Sequence, residues 1–361
     1  MKMWAKRIAL LVMAVLVPLL LAEALVRWSG WGPEIFAVER GMLRLSPLPG
    51  VVYELSPGFE SADGSVQINA QGMRQGPVER ASEHSHLRIA VIGDSLAFGM
   101  GADPAGHFSV HLEEFLNRPE FPLTDPVEVL NFGVPGYNIS QVASVLEHRV
   151  LKYQPDMVVY VYCLNDPQPY SRELAIMLRA SEETASTSRF IHHSRSGRRP
   201  LWMRSRLAWL VAGLWEDPAT ELPDDPGEWD DMMQLIQGTY QSYYRRLYRD
   251  PAPLDRLSSG LNRIAAWQRR QQIPVWIVVF PIFSDLENYA FSSEHAIVAE
   301  KVEERGLILL DLLPIFQEAA QTSVMPLHAD PLHPNRHGYR LAAHAFTLAF
   351  QEYIAEATHV P

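Results

Sequence analysis

The chain has 361 residues, 47% of them hydrophobic and 20% charged. That composition is ordinary for a globular protein and fits one large domain or two smaller ones. A formal net charge of -11 leaves no basic footprint of the kind nucleic-acid binding requires, and a single cysteine, Cys163, excludes an internal disulfide and any cysteine-based metal cage.

The N-terminus carries a targeting signal. Lys2, Lys6 and Arg7 precede an apolar run from Ile8 to Val26, broken only by Pro18 and Glu23. As a helix this run spans about 28 Å, close to the hydrocarbon thickness of a bilayer. Positive charges ahead of it favour the N-terminus inside and the bulk of the chain outside. Two readings lead, an uncleaved signal anchor or a cleaved signal peptide using the small-residue pattern Ala22-Glu23-Ala24, with a buried soluble helix a poor third. The run is longer than the usual signal core of about 7–15 residues, and Trp28 and Trp31 suit a membrane interface. The expectation is a single-pass anchor over 1–31 in the cytoplasmic membrane, with the rest of the chain on its outer face. No cysteine stands near the run, which excludes a lipoprotein anchor.

Residues 32–50 read as a linker punctuated by Pro and Gly. Short extended pieces follow at Val51–Glu54 and Val66–Asn69, with turn signals at Ser56-Pro-Gly and Ala62-Asp-Gly. Together 32–85 are expected to form a linker and a small β extension. From there strand and helix patterns alternate. Strand Ile89–Ile92 precedes a helix over 108–116; strand Val127–Leu130 precedes a helix over 140–153; strand Met157–Tyr162 ends at Asn165-Asp166. After an interruption, a helix over 257–271 precedes strand Val275–Phe280, and a helix over 293–305 precedes strand Leu307–Leu310. A closing helix runs from Gly338 to Ala355. Such alternation predicts a parallel sheet covered by helices on both faces.

The interruption, about 167–255, is a large insertion. It interleaves Arg195, Arg198, Arg199, Arg204 and Arg206 with Leu201, Trp202, Leu207, Trp209, Leu210 and Trp215, and later offers a helix over 229–248. It reads either as a structural insertion packed on the main domain or as a lid lying on the membrane beside the substrate entrance. A nucleotide site is not supported: Gly93 to Gly101 lacks the G-x-G-x-x-G spacing, and no phosphate-loop lysine follows.

The chemistry-bearing residues fall at strand ends. Gly93-Asp94-Ser95-Leu96 closes the first strand of the alternation, at the sheet edge where parallel sheets bind ligands. Asp94 or Ser95 there is either a helix cap or, for Ser95, a nucleophile. Gly133 and Gly136 lie beyond the second strand, Asn165 beyond the third, and Asp330 with His333 in a proline-stiffened turn near the end. Acyl transfer needs these types. A hydroxyl attacks only once a base takes its proton; a neutral imidazole does so near pH 7; a carboxylate fixes the imidazole tautomer; preorganised amides hold the oxyanion.

The ordered set Gly93-Asp94-Ser95-Leu96, Asn131-x-Gly133-x-x-Gly136, Asn165-Asp166 and Asp330-x-x-His333, over 86–166 and 257–356, resembles the GDSL esterase/lipase family, also called SGNH hydrolases. The resemblance extends to membrane-anchored bacterial members through the stretch Ile68-Asn-Ala-Gln-Gly-Met-Arg74. It implies an SGNH hydrolase domain over 86–356 with a flavodoxin-like α/β/α sandwich. It also implies a serine mechanism with neither metal nor cofactor. Ser95 would be the nucleophile, His333 the base, Asp330 its orienting carboxylate, and the Ser95 amide, Gly136 and Asn165 the oxyanion hole. Cys163 and Leu164 depart from the small residues that usually precede the asparagine.

Other titratable residues read as structural. His328 and His337 flank His333 outside the D-x-x-H spacing, and Asp94 and Asp166 read as hydrogen-bond partners. His192-His193 has no carboxylate or cysteine at ligand spacing, and Cys163 reads as a small buried apolar residue. The expected function is a membrane-anchored esterase removing a small acyl group, acetyl first, from a cell-envelope glycan or lipid. An O-acyltransferase for an exported polysaccharide is the alternative, although alginate-type acetyltransferases carry their Asp-His pair before the serine block. A catalytically idle envelope scaffold, and a phospholipase using the Trp/Arg segment, complete the set.

Overall fold

A computed structural model describes residues 2–28, 41–78, 87–123, 125–168 and 240–358, with Ser205 and Leu207 between them. The alternation becomes a five-stranded sheet of β3 (Leu87–Gly93), β4 (Val127–Asn131), β5 (Met157–Tyr162), β6 (Val275–Val279) and β7 (Ile308–Asp311). The strand order is β4-β3-β5-β6-β7, and every pairing is parallel. β5 and β6 are buried along their whole length, as strands covered on both faces must be. This is why they read as unbroken apolar runs rather than as alternation.

The connections are α2 (Ser95–Phe98), α3 (Phe108–Leu116), α4 (Ile139–His148), α5 (Tyr240–Leu247), α6 (Pro251–Gln271), α7 (Ser292–Glu303), α8 (Leu313–Thr322) and α9 (Arg336–Thr358). α3 packs on α9, and α4 packs on α6. The chain first moves outward from β3 to β4, then back past β3 to β5. Right-handed crossovers place those two connections on opposite faces, which gives the α/β/α layering. The reversal also makes a crevice at the C-terminal ends of β3 and β5, the switch point where such sheets bind ligands.

The α3/α9 side is held by aromatic packing. Phe346 is fully buried and meets Trp276 edge-on at 5.1 Å and Phe108 at 6.3 Å between ring centroids. Phe346→Ala is expected to destabilise the fold by about 3–5 kcal/mol. A urea unfolding curve that moves by less than half of this would show the site collapsing around the gap.

Several elements differ from the sequence reading. β1 (Leu43–Leu45) falls inside the expected linker and pairs antiparallel with β2 (Tyr53–Leu55), in register Leu43↔Leu55. Val66–Asn69 forms no strand; only the bridge Glu60↔Gln67 remains. Three-residue strands are too short for a period of two to stand out. The helix expected over 140–153 is α4 plus a separate 3-10 turn, Val150–Tyr153, closed by left-handed Gln154. α8 was not anticipated; its Pro314 sits in the first turn, where the missing N–H costs nothing. Of the helix read over 229–248, 240–247 is α5, Tyr248 lies in the turn after it, and 229–239 lie outside the described residues, as do His192, His193, Trp202, Trp209 and Trp215.

α1 (Lys2–Trp28) is one continuous helix through Pro18, with Leu20, Leu21 and Leu25 exposed. Among the described residues, no helix is long and apolar enough to cross a membrane; the side chains at 8–12 and 15 lie outside that description.

Candidate active site

β3 ends at Gly93, whose φ is 148°. A Cβ there would stand 2.5 Å from the Val161 carbonyl oxygen of β5, so only glycine lets the chain turn so close to its neighbour. The buried Asp94 carboxylate then accepts from the Leu96 amide at 2.9 Å and caps α2. The two readings left open at this turn therefore separate: Asp94 is the cap, and Ser95 opens the helix with its hydroxyl turned to the crevice.

Across that crevice stands the turn before α9. The Ser95 Oγ and His333 Nε2 are 2.9 Å apart, and His333 Nδ1 is 2.8 Å from Asp330 Oδ2. With the carboxylate at Nδ1 accepting the ring N–H, Nε2 is left to accept the Ser95 O–H. Asp330 Oδ1 accepts from the Leu332 and His333 amides at 2.8 and 2.9 Å, which ties the carboxylate into its own turn. Burial pushes the Asp330 carboxyl upward. The bonds from the His333 ring and the two amides outweigh it and hold the pKa at about 2. The turn is closed by the Ala329 amide donating to the His333 carbonyl at 2.9 Å, and is backed by the Phe283 amide donating to the Pro331 carbonyl at 2.7 Å.

The loop after β4 presses onto α2. A Cβ on Gly133 would stand 2.2 Å from the Phe98 backbone nitrogen, and the Gly133 amide is occupied by Asn131 Oδ1 at 2.9 Å. Gly136 follows, buried, with a φ of 78°. Asn138 then caps α4 with a reciprocal Gln141 bond. The Ile139 amide donates to the Asp166 carbonyl at 3.0 Å, joining this loop to the one bearing Asn165. The Asn165 side chain makes no hydrogen bond among the described residues, and its Oδ1 is buried.

Beneath Asn165 lies Asp166, fully buried, with Tyr160 Oη and the Cys163 amide donating to Oδ2 at 2.6 and 3.2 Å. Burial, with the Asp94 charge beside it, pushes this carboxyl well above its ordinary range. Burial likewise raises the Cys163 thiol, so that sulfur is no thiolate nucleophile. Leu164 is fully buried too and packs into the core. His328 stacks on Phe283 at 5.8 Å between ring centroids, and the His337 amide donates to Asn335 Oδ1 at 2.9 Å. Neither contacts Ser95. Among the described residues, no group of three or more His, Cys, Asp or Glu side chains could hold a metal ion.

Some residues around the site were not assigned to it from sequence. Tyr339 Oη donates to the Met100 carbonyl at 2.8 Å; Tyr53 Oη donates to the Pro135 carbonyl at 2.7 Å; the Asn131 amide donates to Gln75 Oε1. The Arg74 guanidinium bonds to carbonyls behind α2. Such bonds between a side chain and a distant backbone group leave no pattern of spacing.

The model of the GDSL-like lipase/acylhydrolase family matches residues 91–341. Solved structures to which the chain is similar include an alpha/beta hydrolase enzyme from the metagenome of Lake Arreo, Spain (16% identity, 74% of this chain and 95% of that one, TM-score 0.42). Another is a catalytic mutant of an acetylxylan esterase from Geobacillus stearothermophilus (15% identity, 74% and 94%, TM-score 0.40). A third is a two-domain esterase active on acetylated mannans (14% identity, 74% and 50%, TM-score 0.37). No curated protein matches the chain. The family match spans both ends of the hydrogen-bonded line from Ser95 to Asp330: the chain belongs to the GDSL-like lipase/acylhydrolase family and is a serine ester hydrolase.

Proposed function

We propose that the chain cleaves a small acyl ester, acetyl first, from a cell-envelope glycan or lipid through an acyl-enzyme. Ser95 attacks the ester carbon while His333 takes its proton, and Asp330 holds the imidazole and steadies the imidazolium. The alcohol leaves with that proton. Water, deprotonated by His333, then attacks the acyl-Ser95 and releases the acid. The Ser95 amide, the Gly136 amide and the Asn165 side chain receive the oxyanion at each tetrahedral stage. The observation that carries this reading is the line of contacts at 2.9 and 2.8 Å joining Ser95, His333 and Asp330.

At the rim the Asp330 side chain is 47% exposed, which leaves room at that edge for a bulky alcohol. A fatty chain needs an apolar slot along its length, worth about 0.8 kcal/mol per buried CH₂, whereas acetyl on a bulky alcohol needs only a shallow lip. Hydrolysis rates on a series of aryl esters from acetate to palmitate test this; a preference for long chains overturns it. If transfer of the acyl group to a glycan acceptor outruns hydrolysis, the chain is instead an acyltransferase.

Asn165→Ala is expected to lower kcat by about 10²–10³, or about 2.7–4 kcal/mol, with little change in KM. Steady-state kinetics check it, and an unchanged kcat removes Asn165 from the oxyanion hole. Anchoring by 1–31, with the catalytic part outside the cytoplasmic membrane, is supported by the run Ile8–Val26 and its preceding charges. If so, deleting 1–31 moves the activity from the membrane to the soluble fraction.

A further inference from the structure

Arg74 belongs to the β extension, outside the residues that the family model matches. It is 3% exposed, and among the described residues no carboxylate lies within ion-pair distance of it. Backbone carbonyls surround the guanidinium instead. Nη1 donates to Phe98 and Gly99 at 3.2 and 2.7 Å; Nη2 donates to Ser65 and Ala102 at 2.9 and 2.8 Å. The guanidinium also stands 4.7 Å above the centre of the Phe98 ring. Burying a guanidinium is costly even with the Asp103 carboxylate acting on it from beyond ion-pair distance, and it stays charged at any physiological pH.

The gripped carbonyls are placed with purpose. Phe98 is the last residue of α2, whose first is Ser95, and Gly99 is its left-handed C-cap. A cation at that end complements the carbonyls the short helix leaves unpaired. Ala102 closes the loop that follows. Between them, Gly101 leans on the base turn: a Cβ there would stand 2.6 Å from the Pro334 carbonyl, 3.0 Å from the Ala329 Cβ and 3.2 Å from the His333 Cβ. The 99–102 loop is thus the spacer between the nucleophile helix and the imidazole, and Arg74 clamps it at both ends. The clamp is itself anchored, because Arg149 Nη2 donates to the Gln71 and Gly72 carbonyls at 2.6 and 3.0 Å, which fixes the turn presenting Arg74.

We propose that Arg74 is a positioning residue that sets the gap between the Ser95 hydroxyl and the His333 ring, so that the extension is part of the working enzyme. This rests on Ser95 being the nucleophile, so Ser95→Ala is assayed in parallel on the full-length chain in detergent. Arg74→Met and Arg74→Lys are compared on a short aryl ester, with active enzyme counted by fluorophosphonate titration and folding followed by thermal melts.

Arg74→Met is expected to lower kcat per titrated site by 30-fold or more, with KM within threefold of the parent. Arg74→Lys keeps the charge but cannot fork, and is expected to recover only part of the loss. Arg74→Ala is expected to regain activity on adding guanidinium at concentrations that leave the melting temperature unchanged. A kcat for Arg74→Met within threefold of the parent, or a rise in KM alone, overturns the proposal. Should Arg74→Met fail to fold, Arg74→Lys decides: parental kcat overturns the proposal, and a drop of tenfold or more in folded enzyme supports it. An active Ser95→Ala would instead remove the nucleophile reading, a failure distinct from that of Arg74.

Discussion

Ser95→Ala is expected to lower kcat on a short aryl ester by about 10⁶-fold, the loss typical of removing a nucleophile from a cooperating triad. The reason is geometric. The Oγ lies 2.9 Å from His333 Nε2, so the hydroxyl and imidazole act as one unit: without either, no acyl-enzyme forms. His333→Ala should therefore cost about as much, and the double variant no more than either single one. The lost Ser95–His333 bond is only partly buried, and a hydrogen bond contributes about 1 kcal/mol net. A thermal melt should barely move while turnover collapses. Residual activity within a hundredfold of the parent would mean that another group attacks the ester.

Asp330→Asn is expected to lower kcat by about 10⁴, less than losing the serine and far more than losing one oxyanion donor. The amide cannot play the carboxylate's part. A carboxylate at Nδ1 requires the ring proton there and leaves Nε2 to accept from Ser95; an amide can present its own N–H and reverse that tautomer. The pH behaviour follows with a definite sign. The folded pKa of Asp330 is depressed from 3.8 to about 2, so its contribution to stability is present above the unfolded value and is lost as pH falls through the folded one. The carboxylate stays ionised down to about pH 3, and any loss of activity above that comes from another group. A pH–rate profile of the parent with an acid limb attributable to Asp330, and absent from Asp330→Asn, would contradict this.

The sheet was legible because its strands are buried on both faces, so that Ile89–Ile92 and Met157–Tyr162 appear as short apolar runs bounded by glycine, aspartate and asparagine. The line of Ser95, His333 and Asp330 was legible for a different reason. Each block carries a residue type that acyl transfer demands, and all but the Asp330–His333 turn stand at the end of a strand where a parallel sheet opens. What stayed hidden is what holds those blocks in place. Arg74 reaches carbonyls at 98, 99 and 102, and a carbonyl is the same on every residue, so neither spacing nor side-chain type betrays the contact. β2 overlaps the extended piece read at Val51–Glu54, but its partner β1 escaped because three residues give one full alternation at most.

The base and the nucleophile are separated by 238 positions. Translation runs from the N-terminus at roughly 5–20 residues per second, so Ser95 leaves the ribosome about 12–48 s before the imidazole that arms it. Throughout that interval the nascent chain carries an inert alcohol and leaves the esters around it intact. Its hydrolytic power arrives only with the last turn before the closing helix, so synthesis itself acts as the safety catch.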